Sequence, residues 1–125
     1  MNLHVAALLV ALSLFFTHEM DAVRCREWRI FPLLDWLDER AAMLWFMWMH
    51  VPLFALLVWG TAAAVAAGGN LFSLLFGAFC VIHGFLHWAY ERHPRNEFRN
   101  PLSRSIIWSC AGAGLLAIAS GWQLG

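Results

Sequence analysis

The chain has 125 residues, 62% of them hydrophobic and 13% charged, whereas a soluble domain runs near about 45–50% apolar and about 25% charged. A mean hydropathy of +0.64 leaves too little polar surface to coat a soluble globule, so the solvent is lipid. Eight basic and eight acidic side chains cancel, which excludes the basic excess that recruits nucleic acid and leaves no acidic tail.

A bilayer core about 30 Å thick needs roughly 20 apolar residues per helix. Four runs meet that need, at about 3–23, 41–67, 71–90 and 105–122, which predicts a single all-α domain, an integral membrane four-helix bundle. The first run lacks a basic leader and runs into His18-Glu19-Met20-Asp21 rather than a small-residue cleavage site, so it reads as a retained span. Between the first and second runs, Phe31-Pro32-Leu33-Leu34-Asp35-Trp36-Leu37-Asp38-Glu39-Arg40 sets apolar residues against acids. A short interfacial helix with Pro32 in its first turn is expected there. Gly68-Gly69-Asn70 joins the second and third runs as a turn whose residues tolerate positive φ. The third connection, Glu91 to Pro101, carries mixed charge and two prolines and reads as a solvated loop. The fourth span holds Ala111-Gly112-Ala113-Gly114, small residues that let helices approach closely; it either closes the bundle or forms a homodimer face.

All charges fall in Glu19–Arg40 and Glu91–Arg104, and every cation is arginine. Positively charged loops stay in the cytoplasm, which predicts an inner-membrane protein with both termini outside. Trp28, Trp36, Trp88 and Trp122 fall near span boundaries, where indole rings anchor to headgroups. Cys25, Cys80 and Cys110 form no CxxC pair and read as structural thiols.

Ionisable groups inside a span are costly unless paired, and so they are candidates for function. His18, Glu19 and Asp21 close the first span, His50 lies in the second, and His83 and His87 lie in the third. At 1.5 Å per residue from the nearest arginine, His18 is about 9 Å deep, His50 about 15 Å, His83 about 13 Å and His87 about 7 Å. All four thus occupy the same half of the bilayer. His83 and His87 share a helical stripe, as paired metal ligands do, and Glu91 extends it by a turn. His18, Asp21 and Cys25 share another, whereas Glu19 is turned about 100° from His18, which argues against one metal taking both. Pro52, just after His50, cannot donate the amide hydrogen bond to the Trp48 carbonyl and opens space by a bend.

Imidazole suits transition metals, and a nearby carboxylate can take a proton. A catalytic zinc would take His83 and His87 with His50 or His18, leaving Asp21 or Glu19 as base. Zinc is preferred over iron because a di-iron site would need Glu19, Asp21 and Glu91 as well. The accessible substrate would be a lipid amide or ester. Two other readings stand beside this one. A haem or electron-transfer protein would use His50 and a third-span histidine as axial ligands, although Trp45, Phe46, Trp48 and Phe85 crowd its slot. A non-catalytic scaffold would pair Asp21 with Arg24 or Arg26 and Glu19 with an imidazole.

The segment Thr17-His18-Glu19-Met20-Asp21-Ala22-Val23-Arg24-Cys25-Arg26-Glu27-Trp28-Arg29 resembles the signature of a family of small four-span bacterial membrane proteins of unknown function. The likeness covers most of the chain, including the histidine of span two and the pair of span three. It implies the four-span architecture and supplies no activity. At the level of the site alone, the chain is similar to intramembrane zinc hydrolases of the ceramidase and adiponectin-receptor type. In those, a His-x-x-x-His pair joins a histidine and an acid from other helices, here His83 and His87 with His18 or His50 and Asp21. Those proteins have seven spans.

Overall fold

The computed structural model describes residues 2–69 and 71–122, without the Trp122 side chain. Asn70 of the expected turn therefore lies outside the described residues, as does the Trp122 anchor. The helices are α1 (Leu3–Arg24), α2 (Glu39–Ala66), α3 (Leu71–Ala89) and α4 (Pro101–Trp122). All four are long and apolar enough to cross a membrane, so the chain is a multi-pass membrane helix bundle, as expected from composition.

Local signals account for the helix ends. The Asn2 side chain accepts from the Val5 amide and caps α1, and Asp38 accepts from the Ala41 amide and caps α2, each satisfying a donor that the helix leaves open. After α2, Gly68 and Gly69 both have positive φ, 71° and 124°. The α4 helix begins four residues earlier than its apolar run, because the side chain of Asn100 accepts from the Ser103 amide and Pro101 suits a first turn.

Helix α4 packs along both α1 and α3, while α2 attaches more loosely at the side. The small-residue stripe of α4 makes that packing possible. A Cβ built on Gly77 would lie 2.8 Å from the Gly114 carbonyl oxygen, and one on Gly114 would lie 2.7 Å from that of Gly77. The stripe closes the bundle within one chain, and of its two glycines Gly112 looks onto open space. At the end carrying the Gly68-Gly69 turn, His4 Nδ1 donates to the Ala117 carbonyl at 2.8 Å and ties α1 to α4. Between that turn and the middle of the bundle, Leu8, Ala11, Phe15, Leu57, Phe76 and Cys80 form one apolar core.

The connections differ from the sequence-based expectation in three respects. In place of one interfacial helix there are two single 3₁₀ turns, Glu27–Arg29 and Pro32–Leu34. Trp28 is buried, in a second core with Cys25, Ile30, Leu34, Phe46, Phe98 and Ile107, so it packs rather than anchors; Trp36 and Trp88 are exposed. The third connection is not simply solvated, since Asn96 and Phe98 are buried. Asn96 donates to the Tyr90 carbonyl at 2.9 Å and accepts from the Phe98 amide at 2.8 Å, folding the loop so that Phe98 points inward. Arg29 then joins the two arginine-bearing connections through Glu97 at 3.2 Å and Glu39 at 2.5 Å.

Candidate metal centre

Three of the four histidines singled out by depth converge. His83 Nε2 lies 2.8 Å from His18 Nε2 and 3.2 Å from His87 Nε2. Helix α1 contributes His18, and successive turns of α3 contribute His83 and His87, as their four-residue spacing requires. The fourth member is Glu27, which the sequence argument did not single out. Its Oε2 is 3.7 Å from His18 Nε2 and its Oε1 is 3.7 Å from His87 Nε2. One donor atom from each of the four residues lies within 4.8 Å of all the others.

Glu27 reaches this position through Arg26, whose φ of 51° and ψ of 50° place it in the left-handed region. Among the described residues it is the one non-glycine with positive φ, at a cost of about 1–2 kcal/mol. That turn reverses the chain after α1 and swings Glu27 and Trp28 back into the bundle. Glu27 sits in a charged block and reads as solvated, and nothing in the residue type of Arg26 announces the turn. The available signal was its place beside Trp28 in the segment Thr17–Arg29.

The setting is apolar. Phe98 lies over His18 and His87, with ring centroids 5.6 and 4.6 Å apart, and Phe15 borders His18 and His83 from beneath. His18 and Glu27 are buried and His83 is half-buried. Burial, reinforced by the Glu19 carboxylate, pushes the Glu27 carboxyl from 4.5 up to about 8. Its Oε2 has no hydrogen-bond partner, and neither does Nδ1 of His18 or His87. A buried carboxylate facing two imidazole nitrogens, with one oxygen itself unsatisfied, calls for a cation or a proton between them.

The spacing suits a metal. Zinc bonded to nitrogen at about 2.0–2.1 Å in tetrahedral geometry sets its ligand atoms about 3.3 Å apart, within about half an ångström of the observed nitrogen separations. Two clefts flank the cluster. One, of about 200 Å³, is lined by Glu27, His83 and His87 with Ile30, Phe31, Leu86 and Tyr90. The other, of about 230 Å³, reaches His87 from the side of Glu91, Asn96 and Arg104.

The remaining candidates lie apart from the cluster. His50 Nε2 meets Glu19 Oε2 at 2.6 Å while its Nδ1 donates to the Phe46 carbonyl at 2.5 Å. The rotation of Glu19 away from His18 thus sends it to α2. Asp21 accepts from Arg24 Nε at 2.8 Å and from the Ser103 hydroxyl at 2.5 Å, clamping α1 to the start of α4. Cys25, on the same stripe, also touches Ser103. Glu91 pairs with Arg104 instead of extending the His83 and His87 stripe inward.

No curated protein and no solved structure matches the chain, so the likeness to ceramidase-type hydrolases rests on site chemistry alone. A model described as a family of unknown function (DUF6713) matches residues 4–124, and the chain belongs to that family.

Proposed function

We propose that the protein is a membrane metalloenzyme in which His18, His83 and His87 bind a transition metal, zinc in preference to iron, and Glu27 serves as base. The observation that carries this reading is the convergence of three imidazole nitrogens and one unsatisfied carboxylate oxygen at one buried point. Three protein ligands with a fourth position left for water is the pattern of a catalytic zinc. A metal there would supply a Lewis acid and an activated water; Glu27, facing two of the imidazoles at 3.7 Å, is placed to take the proton.

The clefts favour hydrolysis of a lipid-like ester or amide. The cleft walled by Ile30, Phe31, Leu86 and Tyr90 suits an apolar chain, and the one bordered by Glu91, Asn96 and Arg104 suits water. His87 lines both. With all eight arginines at the end of the bundle that holds the cluster, the orientation that fits is arginines in the cytoplasm and both termini outside, in the inner membrane.

Elemental analysis of the protein purified in detergent tests the reading. About one equivalent of zinc or iron is expected, falling to background in His83→Ala and His87→Ala. Release of fatty acid from a lipid extract is expected to follow the metal and to fail in Glu27→Gln. A parent protein that takes up no metal on titration with zinc, its histidines intact, ends the proposal.

A further inference from the structure

The Glu19–His50 pair forms the floor of another cavity, on a face of α1 turned about 100° from His18. This groove, of about 250 Å³, runs between α1 and α2 and is walled by Phe16, Met20, Phe46, Met47, Val51 and Phe54. Helix α2 packs loosely and carries Pro52 within it, two residues from His50, so one hydrogen bond of the helix ladder is missing where the groove passes. Met20, Met47 and Val51 are exposed on the lipid-facing surface, and the groove opens sideways toward the acyl chains.

Hydrogen-bond accounting fixes the polarity of its floor. A carbonyl only accepts, so His50 Nδ1 must donate to Phe46. The 2.6 Å contact to Glu19 then needs one proton between His50 Nε2 and the carboxylate. Whichever atom carries it, the pair has no net charge. No arginine lines the groove, so nothing there neutralises a phosphate or a fatty-acid carboxylate. Both protons of the pair are then in use, so the floor has none to give and can only accept, at the Glu19 carboxylate. The walls are aromatic and flat: Phe46 and Phe54 flank His50 with ring centroids at 4.4 and 5.4 Å, and Phe16 lies 4.8 Å from Phe54. Rings and thioethers of this kind pack well on another ring.

We propose that the groove between α1 and α2 binds a neutral, ring-bearing membrane lipid of the hydroquinone class, its ring between Phe16, Phe46 and Phe54 and its phenolic hydroxyl donating to the Glu19 carboxylate. The tail leaves past Met20 and Met47 into the bilayer. The site shares no residue with the metal cluster.

The test is equilibrium binding, in the absence of oxygen, of a benzohydroquinone bearing one isoprenoid unit to the full chain in detergent, with Met47→Trp as the blank for micelle partitioning. Saturable binding at one site per chain is expected, weakened at least tenfold by Met47→Trp, which fills the groove from its exposed side. Glu19→Leu, which removes the acceptor, should weaken it similarly at a temperature where the variant remains helical. His83→Ala should bind as the parent does, which separates this site from the metal reading. Absence of saturable binding, equal binding by Met47→Trp, or equally tight binding of dodecanol or of the corresponding benzoquinone overturns the proposal.

Discussion

Replacing Glu27 by glutamine keeps the shape of the side chain and removes its charge, so it isolates what the carboxylate contributes to metal affinity. Its oxygens lie 3.7 Å from two of the imidazole nitrogens, which puts an ion among the donors within about 4 Å of the charge. At an effective dielectric of about 20, two unit charges at that separation attract by about 4 kcal/mol, so a dication gains about 8. Against this, at neutral pH a carboxyl pushed up to about 8 must first give up its proton, at about 1.36 kcal/mol per unit. The gain that remains is several kcal/mol, at least a hundredfold in affinity. Competition with a chromophoric chelator, in detergent at neutral pH, measures it directly. Glu27→Gln should bind zinc at least a hundredfold more weakly than the parent, with helical content and melting temperature retained. An affinity within threefold of the parent would refute the placement of Glu27 in the site, whatever the histidines do.

Three further outcomes follow from the packing. Asp21→Asn should lower stability by about 1.5–3 kcal/mol, the range for a charged hydrogen bond, because it weakens the clamp to Arg24 and Ser103. Denaturant melts check this, and loss of metal at unchanged stability would count against a clamp. Gly77→Ala and Gly114→Ala should each destabilise by about 1–3 kcal/mol, since the added carbon meets backbone at 2.8 and 2.7 Å. Gly112→Ala, facing open space within α4, should instead raise the thermal midpoint slightly, since alanine is the better helix former by about 0.5–1 kcal/mol. Arg26→Gly should keep its metal because glycine adopts a φ of 51° freely, whereas Arg26→Val should lose metal as the turn that delivers Glu27 is forced out of the left-handed region; metal content by elemental analysis distinguishes the two.

The sequence made the spans legible because lipid imposes length and hydropathy on them, and shared depth brought His18, His83 and His87 to one level before any coordinates. Helical rotation also separated Glu19 from His18, and the two do go to different neighbours. Glu27 and Phe98 escaped because each depends on a non-helical turn. The Arg26 backbone brings in the first, and the Asn96 side chain bonds that fold the third connection bring in the second. Neither conformation has a periodic signal, and both residues are surrounded by charges that read as solvated. An isolated phenylalanine between Glu97 and Arg99 was the one hint of inward packing.

Helix α4 supplies no donor to the metal cluster, yet it is the element against which both donor-bearing helices lie. It also follows the other three in the chain. During synthesis, His18, Glu27, His83 and His87 are therefore all in the membrane before the surface that aligns α1 with α3 exists. On the proposed reading, metal capture would be the last event of biogenesis, gated by insertion of a helix that supplies no ligand. A ribosome-stalled chain ending before Pro101 would carry every ligand and still fail to retain zinc.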